Sequence, residues 1–324
     1  MESAIEVTGL LREYVTETGF LTRRRHEVQA LRGISFDVRR GEIFGVLGPN
    51  GAGKTTLIKI LSTMLSPSGG SARVLGFDVH SEAKRIRPRI NVIFGGERSL
   101  YWRLTGSDNM RYFSDLYRVP EREQRHRIPE LLELVGLQEK ADVRVETYSK
   151  GMKQRLQIAR GLVNRPEVLY LDEPSIGLDP IAAAELRRIV ARLADQGTTI
   201  ILTTHYMFEA EQLCRRIAVV DHGQIQALDT PEGLKRLAVG QEVVEVEVGG
   251  LLAGDLAQLR ALPGVRHVAE TYVGQCLLLT MQSDDPEQIE SVLTGRASQY
   301  GLTAVRRRAA SLEDAYLRLV GEAR

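Results

Sequence analysis

The chain has 324 residues, a length typical of about two domains. Its 43 Lys and Arg residues almost balance its 42 Asp and Glu residues, which argues against a protein that holds nucleic acid or an anionic membrane by bulk charge. Aromatic residues make up only 6%, few for a surface on which single-stranded nucleic acid stacks. The 43% of hydrophobic and 26% of charged residues are ordinary for a globular protein and argue against disorder.

The cysteines and the hydropathy pattern restrict the class of protein further. Cys214 and Cys276 do not form a Cys-x-x-Cys pair, which argues against a disulfide scaffold or a cysteine-based zinc site and fits a reducing compartment. The first residues lack an apolar core behind a basic start, so we expect no signal peptide. No apolar run reaches about 18 residues, the length of a membrane-spanning helix, and we expect a soluble cytoplasmic protein.

Near the N-terminus, alternating apolar residues at 5–7 and 34–38 predict strands. The polar insert between them, residues 17–27, carries a basic run at 23–26. We interpret this insert as a solvated loop. A contact between its basic run and lipid headgroups or a partner is the alternative.

The middle of the chain alternates between predicted strands and helices. An apolar run at 43–47 predicts a buried strand, residues 53–65 predict a helix, and residues 98–162 predict a mainly helical segment. Asp179 and Pro180 have the features of a helix start, because the Asp accepts backbone N–H groups and the Pro needs none. Alternation of strands with helices indicates a mostly parallel α/β sheet. Further strands are predicted at 168–171, 198–203 and 217–220.

The pattern changes near residues 237–240, where we place the boundary between a first domain, 1–238, and a second domain, 239–324. The second domain is predicted to be a small α+β domain with the order β-α-β-β-α-β, which is that of a ferredoxin-like fold, followed by a terminal helix. Its predicted elements are 241–248, 255–262, 265–273, 275–281, 286–300, 302–308 and 311–320.

Residues 48–55 match the phosphate-binding pattern G-x-x-x-x-G-K-S/T of a P-loop. Glycines let the backbone wrap around phosphates, and the helix that begins here adds the positive end of its dipole. In this pattern Lys54 reaches the β- and γ-phosphates and the Thr55 hydroxyl ligates Mg²⁺. A chance glycine-rich turn is the alternative, but the strand before and the helix after argue against it. We assign nucleotide contacts to Gly48, Pro49, Asn50, Gly51, Ala52, Gly53, Lys54, Thr55 and Thr56.

The apolar strand 168–171 is followed by two carboxylates, Asp172 and Glu173. They place negative charge at the carboxyl edge of the sheet, where open α/β proteins bind ligands. We expect Asp172 to hold Mg²⁺ through water, and Glu173 to orient or deprotonate an attacking water. A surface acidic pair is the alternative, and the P-loop upstream argues against it.

A third pattern lies just before the carboxylate strand. Residues 148–152, Tyr-Ser-Lys-Gly-Met, resemble the signature motif of ABC-type ATPases, which is usually L-S-G-G-Q at the start of a helix. Residues 175–179 are similar to the family's D-loop, and His205 is similar to its switch histidine. The resemblance covers roughly residues 4–238 and implies a P-loop ATPase domain whose helical subdomain is the segment at about 98–162.

The resemblance also implies roles for these residues. It makes His205 a γ-phosphate contact and a catalytic residue together with Lys54 and Glu173. It implies that Ser149 and Gly151 serve the ATP of the opposite subunit, in a head-to-tail dimer of this chain with itself or with a paralogue. Taken alone, His205 is a polar loop histidine, and Ser149 with Gly151 is a helix cap that forms an anion site.

The chain departs from the family pattern at several positions. Lys150 stands where the first signature glycine is usual, and Met152 where glutamine is usual. After the predicted strand 91–94, Gly96 occupies the position of the usual glutamine. We assign Glu97 as the nearest side chain that reaches Mg²⁺ or water.

The family stacks an aromatic residue on adenine, and we assign that role to Tyr14. Phe20 and His26 are alternatives, because the basic insert obscures the alignment. Simple packing of Tyr14 is a further alternative.

The chain has one P-loop and no apolar span, which points to an ATPase subunit that needs partners. Its short C-terminal domain, and residues 311–317 as a closing helix, resemble the daunorubicin-resistance type of ABC transporter ATP-binding subunit. This resemblance implies ATP and Mg²⁺ as cofactors and a separate ABC-2-type permease as the partner. It also implies a place at the cytoplasmic face of the membrane and a role in export.

Two other functions stay open. A soluble ABC-type ATPase that acts on nucleic acid or ribosomes usually carries two ATPase cores, long coiled-coil arms or zinc modules, which this sequence lacks, so we expect no nucleic-acid partner. An ATP-dependent switch with little turnover is favoured by Gly96, whereas the complete set of Asp172, Glu173 and His205 argues against it. We interpret the C-terminal domain as a regulatory or dimerisation module.

Overall fold

The computed structural model describes residues 2–18, 24–96, 100–238, 242–248, 258–273, 276–283, 285–295, 297 and 301–321. The chain forms two compact units, Met1–Leu228 and Asp229–Arg324. The division comes at residue 228 rather than at the predicted residue 238, because the helix Pro231–Ala238 packs against the C-terminal helix of the second unit. In the described ranges, no helix is both long and apolar enough to span a membrane.

Strands and helices alternate along most of the first unit, as the sequence pattern predicts. Its strands include β1 (Ser3–Thr18), β2 (Arg24–Arg39), β3 (Ile43–Leu47), β4 (Gly69–Val74), β5 (Phe77–Asp78), β6 (Ile90–Phe94), β7 (Val168–Asp172), β8 (Thr199–Thr204), β9 (Arg216–Asp221) and β10 (Gln224–Asp229). Its helices include α1 (Lys54–Leu61), α2 (Ala83–Ile86), α3 (Gly106–Leu116), α4 (Glu121–Leu134), α5 (Lys150–Gly161), α6 (Pro180–Asp195) and α7 (Met207–Leu213). Short 3₁₀ turns lie at Arg87–Arg89, Gln138–Lys140 and Val145–Thr147.

The main sheet of the first unit has the strand order β10-β9-β3-β8-β7-β6. β3 pairs in parallel with β8 and β9, and β7 pairs in parallel with β8 and β6. β3, β7 and β8 are buried along their whole length, as expected for parallel strands that are covered on both faces. The register pairs Leu47 with Thr204 and Asp172 with Thr203, so the segments after β3, β7 and β8 leave the sheet at the same edge.

A second sheet has the order β2-β1-β4-β5 and shares a hydrophobic core with the main sheet. β1 and β2 pair as far as Glu17 with Arg25 and Thr18 with Arg24. The predicted loop over 17–27 is therefore wrong at both ends, because the antiparallel hairpin continues through them and carries residues 24–26 on β2. Residues 19–23, which include Phe20, lie outside the described residues.

The predicted helical segment contains α3, α4 and α5. α3 begins at Thr105, whose hydroxyl accepts a hydrogen bond from the Asp108 N–H at 3.0 Å, and this cap satisfies one of the free N–H groups of the first turn. By contrast, α1 ends at Leu61 instead of the predicted residue 65. The backbone of Thr63 lies in the left-handed region with φ 63°, and a single left-handed residue ends an α-helix.

The second unit is built on an antiparallel sheet of order β12-β13-β11-β14. Numbered within the unit, this order is 2-3-1-4, which is that of the predicted β-α-β-β-α-β arrangement. Residues 258–260, between β11 and β12, are helical. The elements are α8 (Pro231–Ala238), β11 (Glu242–Val248), β12 (Val265–Val273), β13 (Cys276–Ser283), α9 (Pro286–Gly295), β14 (Leu302–Ala309) and α10 (Leu312–Gly321).

An ion network joins β11, β14 and α10 in the second unit. Glu245 pairs with Arg306 and Arg308, and Arg308 also donates to Asp314 at 2.7 and 3.0 Å. The Ser311 N–H donates to Asp314 at 2.8 Å. Burial alone would raise the pKa of Asp314, but the Arg308 and Ser311 donors outweigh it and hold that pKa below its ordinary value. The stability gained is therefore complete above the unfolded pKa of about 3.9 and is lost as the pH falls through the folded pKa.

The replacement Asp314→Asn should lower the local stability of β14 and α10 by about 1–3 kcal/mol at pH 7, because it removes the buried carboxylate with which the half-buried Arg308 is paired. The measurement is the hydrogen exchange of peptides from residues 302–321, corrected for intrinsic rates. The difference from wild type should shrink below about pH 4. Glu313→Gln is the control, because Glu313 is the exposed neighbour on α10. Equal exchange in Asp314→Asn and wild type at pH 7 would contradict this account.

Candidate functional site

The P-loop joins β3 to α1 at the carboxyl edge of the main sheet. Gly51 and Gly53 have φ angles of 86° and 105°, in the region that favours glycine. A Cβ on Gly48 would lie 2.2 Å from the Val220 carbonyl oxygen, and one on Gly53 would lie 2.5 Å from that of Ala30. The loop is therefore pressed against its neighbours at Gly48 and Gly53, and only glycine fits there.

Lys54, the first residue of α1, points back into the loop and is 4% exposed. Its ammonium donates to the carbonyl oxygens of Gly48 at 2.8 Å and of Pro49 at 3.1 Å. It also pairs with Oε1 of Glu173 at 3.1 Å. The predicted phosphate-binding lysine and the predicted water-activating carboxylate are thus direct neighbours.

Asp172, the last residue of β7, is 6% exposed and accepts two hydroxyl hydrogen bonds. Thr55 Oγ1 donates to its Oδ2 at 2.8 Å, and Thr203 Oγ1 donates to its Oδ1. A threonine hydroxyl beside a carboxylate is the oxygen donor set that suits Mg²⁺. The structure therefore brings together the two predicted magnesium ligands, Thr55 and Asp172.

Glu173 begins the loop after β7 in a strained conformation, with φ 52°. Its N–H donates to both the carbonyl oxygen and the hydroxyl of Thr203, at 3.0 and 3.1 Å. His205 follows β8, and its buried Nδ1 lies 3.3 Å from Oε2 of Glu173, although the two groups are not aligned as a hydrogen bond. Glu173 therefore contacts both Lys54 and His205.

Sequence reasoning missed Thr203, which holds both carboxylate residues through its hydroxyl and its carbonyl group. A polar residue near the carboxyl end of the apolar strand β8 was the available signal. Its partners could not be read from the sequence, because they depend on the parallel register that pairs Asp172 with Thr203.

Tyr14 lies beside the P-loop helix. Its hydroxyl is 3.4 Å from Thr56 Oγ1, and the Arg12 guanidinium lies over its ring at 4.7 Å from the centroid. The structure thus places Tyr14 next to the P-loop helix. Phe20 and the side chain of His26 lie outside the described residues.

The loop after β6 contacts both the carboxylate strand and the helical segment. The Gly95 N–H donates to the Asp172 carbonyl oxygen at 2.7 Å. The Gly96 carbonyl accepts from Nε2 of Gln157, a fully buried residue of α5, at 2.6 Å. Gly96, at φ 93°, supplies a backbone carbonyl group at the position where the family usually has a glutamine side chain. Glu97, the predicted further Mg²⁺ contact, lies outside the described residues.

Ser149 and Gly151 lie at the start of α5, and none of their described contacts is with the P-loop. Ser149 is exposed, and its hydroxyl accepts from the Met152 N–H at 3.2 Å. A Cβ on Gly151 would lie 2.8 Å from Cβ of Ala182 in α6. Within one chain, these two residues therefore make no described contact with the group around Lys54; Ser149 is exposed, whereas Gly151 is buried against α6.

Comparison with known proteins identifies the family. Residues 31–176 match the ABC transporter family. The Nod factor export ATP-binding protein I of Ralstonia nicotianae is 38% identical over 303 residues, which are 93% of this chain and 92% of that protein. The chain belongs to the ABC transporter ATP-binding proteins. The fold and family predicted from the motifs are thereby confirmed, and this ABC protein binds and hydrolyses ATP as a transporter subunit.

Other relatives and solved structures agree with this assignment. The daunorubicin/doxorubicin resistance ATP-binding protein DrrA of Streptomyces peucetius is 41% identical over 245 residues, 76% of this ABC protein and 70% of the relative. The structure of cbiO1 from Clostridium perfringens, part of the ABC transporter complex cbiONQ, is 26% identical with a TM-score of 0.63. The match covers 72% of this chain and 91% of the cbiO1 chain.

Two P-loop glycines provide a matched test of the loop geometry in this ABC protein. Gly51→Ala meets only the strain of a left-handed backbone, about 1 kcal/mol, because nothing lies within 4 Å of its Cβ. Gly53→Ala adds a collision with the Ala30 carbonyl and should cost about 2 kcal/mol or more. The measurement is urea unfolding followed by the fluorescence of Trp102, the single tryptophan. Equal losses in the two variants would contradict the described packing.

Proposed function

We propose that this chain powers export by binding and hydrolysing ATP for a separate ABC-2-type permease, at the cytoplasmic face of the membrane. The relatives support export, since they are named for Nod factor export and for resistance to daunorubicin and linearmycin. The observation that carries the mechanism is the contact of Lys54 with Glu173 beside the Thr55–Asp172 hydrogen bond. These contacts support the proposed roles of Lys54 as the phosphate-binding cation, of Thr55 and Asp172 as the magnesium ligands, and of Glu173 as the base, because the four side chains lie together.

Each group has a distinct task in the proposed reaction. Lys54 and the P-loop N–H groups bind the phosphates, as the loop geometry favours. Thr55 and Asp172 hold Mg²⁺, which neutralises phosphate charge when it is bound. Glu173 orients the attacking water and accepts its proton, and His205 holds the γ-phosphate from the other side of Glu173.

The site is completed by a second chain. Ser149 is exposed at the N-terminus of α5, with its hydroxyl and the adjacent N–H groups at the positive end of the helix dipole. In the proposed dimer, Ser149 and Gly151 of one chain contact the ATP held by the P-loop of the other. The partner is a second copy or a paralogue. ATP closes the dimer because these contacts exist only in the closed state, and hydrolysis reopens it.

The replacement Glu173→Gln should lower ATP hydrolysis by about 100-fold or more, because the neutral amide cannot accept a proton. ATP binding should persist, and the variant should accumulate as an ATP-dependent dimer in analytical ultracentrifugation. Glu133→Gln, at an exposed position of α4, is the charge-matched control and should behave as wild type. Normal turnover in Glu173→Gln would remove Glu173 from its proposed role.

The transport role is tested by affinity purification of the same tagged Glu173→Gln chain from detergent-solubilised membranes with ATP. The expected result is a multi-span membrane protein that is lost when ATP is omitted or when Lys54→Ala is added. Recovery of ribosomes or nucleic acid without a membrane protein would contradict the transport role while leaving the ATPase assignment intact.

A further inference from the structure

Glu209 is a buried carboxylate to which the proposed reaction gives no task. It lies in the first turn of α7, four residues after His205, and is 3% exposed. No described basic side chain lies within ion-pair distance of it, although Arg187 and His205 are near enough to interact with its charge. Since a buried charge is costly without partners, the groups that hold this carboxylate indicate what it does.

The side chains of Ser175 and Thr204, which belong to different elements of the site, lie close to the Glu209 carboxylate. Ser175 Oγ donates to Glu209 Oε2 at 3.0 Å, and both residues are buried. The side chain of Thr204, at the end of β8, lies near enough to Glu209 to lower its pKa. Burial raises the pKa of Glu209, and the side chains of Thr204 and Ser175 and the charge interactions with Arg187 and His205 offset only part of this rise.

Ser175 and Thr204 are both next to the reacting groups in sequence. Ser175 comes two residues after Glu173, whose strained backbone persists only if its surroundings fix it. The Glu173 N–H donates to Thr203 of β8, and the Ser175 hydroxyl donates to Glu209 of α7. Thr204 directly precedes His205, and Glu209 lies on the helix that follows it, so one carboxylate joins the loop of Glu173, through Ser175, to the segment that carries His205.

We propose that Glu209 is a positioning residue that fixes the loop 173–179 relative to His205. The part of this loop around Ile176 and Gly177 is exposed. A contact made there is then transmitted through Ser175 and Glu209 to His205. The inference deepens the proposed function, because it assumes that Glu173 and His205 act on ATP.

The first test is hydrogen exchange of the nucleotide-free chain, which needs no activity. Glu209→Ala should increase exchange in peptides from residues 173–181, although the substitution lies on α7. Glu209→Gln keeps an oxygen that accepts from Ser175 and should restore most of the protection. Gln212→Ala, at an exposed position of the same helix, is the control and should leave residues 173–181 unchanged. If Glu209→Ala increases exchange only in peptides from α7, Glu209 stabilises only its own helix, and the proposal is wrong.

The second test is steady-state ATP hydrolysis by the same variants. Glu209→Ala should lower kcat by about 10- to 100-fold through misplacement of the reacting groups, with a much smaller change in KM, and Glu209→Gln should recover most of the loss. The double variant Ser175→Ala with Glu209→Ala should have the same kcat as Glu209→Ala alone, because the two substitutions remove the same Ser175–Glu209 hydrogen bond. Multiplicative losses, or a Gln variant as slow as the Ala variant, would overturn the proposal. If the wild-type chain does not hydrolyse ATP, the proposed function is contradicted. The hydrogen-exchange test would still decide whether Glu209 positions the loop 173–179.

Discussion

The parallel pairing of β8 between β3 and β7 is the constraint on which the site depends. This order brings the P-loop, the carboxylates and His205 to one edge of the sheet. Asp172 then accepts hydrogen bonds from both neighbouring segments, through Thr55 on one side and Thr203 on the other. A shift of one residue in this register would turn Asp172 to the opposite face of the sheet and separate these groups.

The charges at this edge are arranged around Lys54. Its nearly buried ammonium is held by two backbone carbonyl groups and by Glu173, as a buried cation requires. In the proposed function, a phosphate competes with Glu173 for this ammonium. The residue that holds the phosphate therefore also determines where the Glu173 carboxylate can go, and His205 lies on the other side of that carboxylate.

The sequence was sufficient to predict the groups whose roles follow from local spacing. The P-loop, the pair Asp172–Glu173 and the ferredoxin-like order of the second unit are patterns of neighbouring residues. Thr203 and Glu209 were missed because their partners lie about thirty residues away and are set by sheet register and helix packing. The loop predicted over 17–27 failed for a related reason, since cross-strand pairing keeps a polar, basic segment in a hairpin.

The central claim is that a complete site needs the P-loop of one chain and the signature segment of another. A direct measurement is disulfide trapping between two versions of the chain in which Cys276 is replaced by Ala, one carrying Asn50→Cys and the other Lys150→Cys. Asn50 and Lys150 are exposed, whereas Cys214 is buried. The account predicts a covalent dimer of the two versions that forms under mild oxidation with ATP and not with ADP. Equal yields of the covalent dimer with ATP and with ADP, or no covalent dimer with ATP bound, would contradict it.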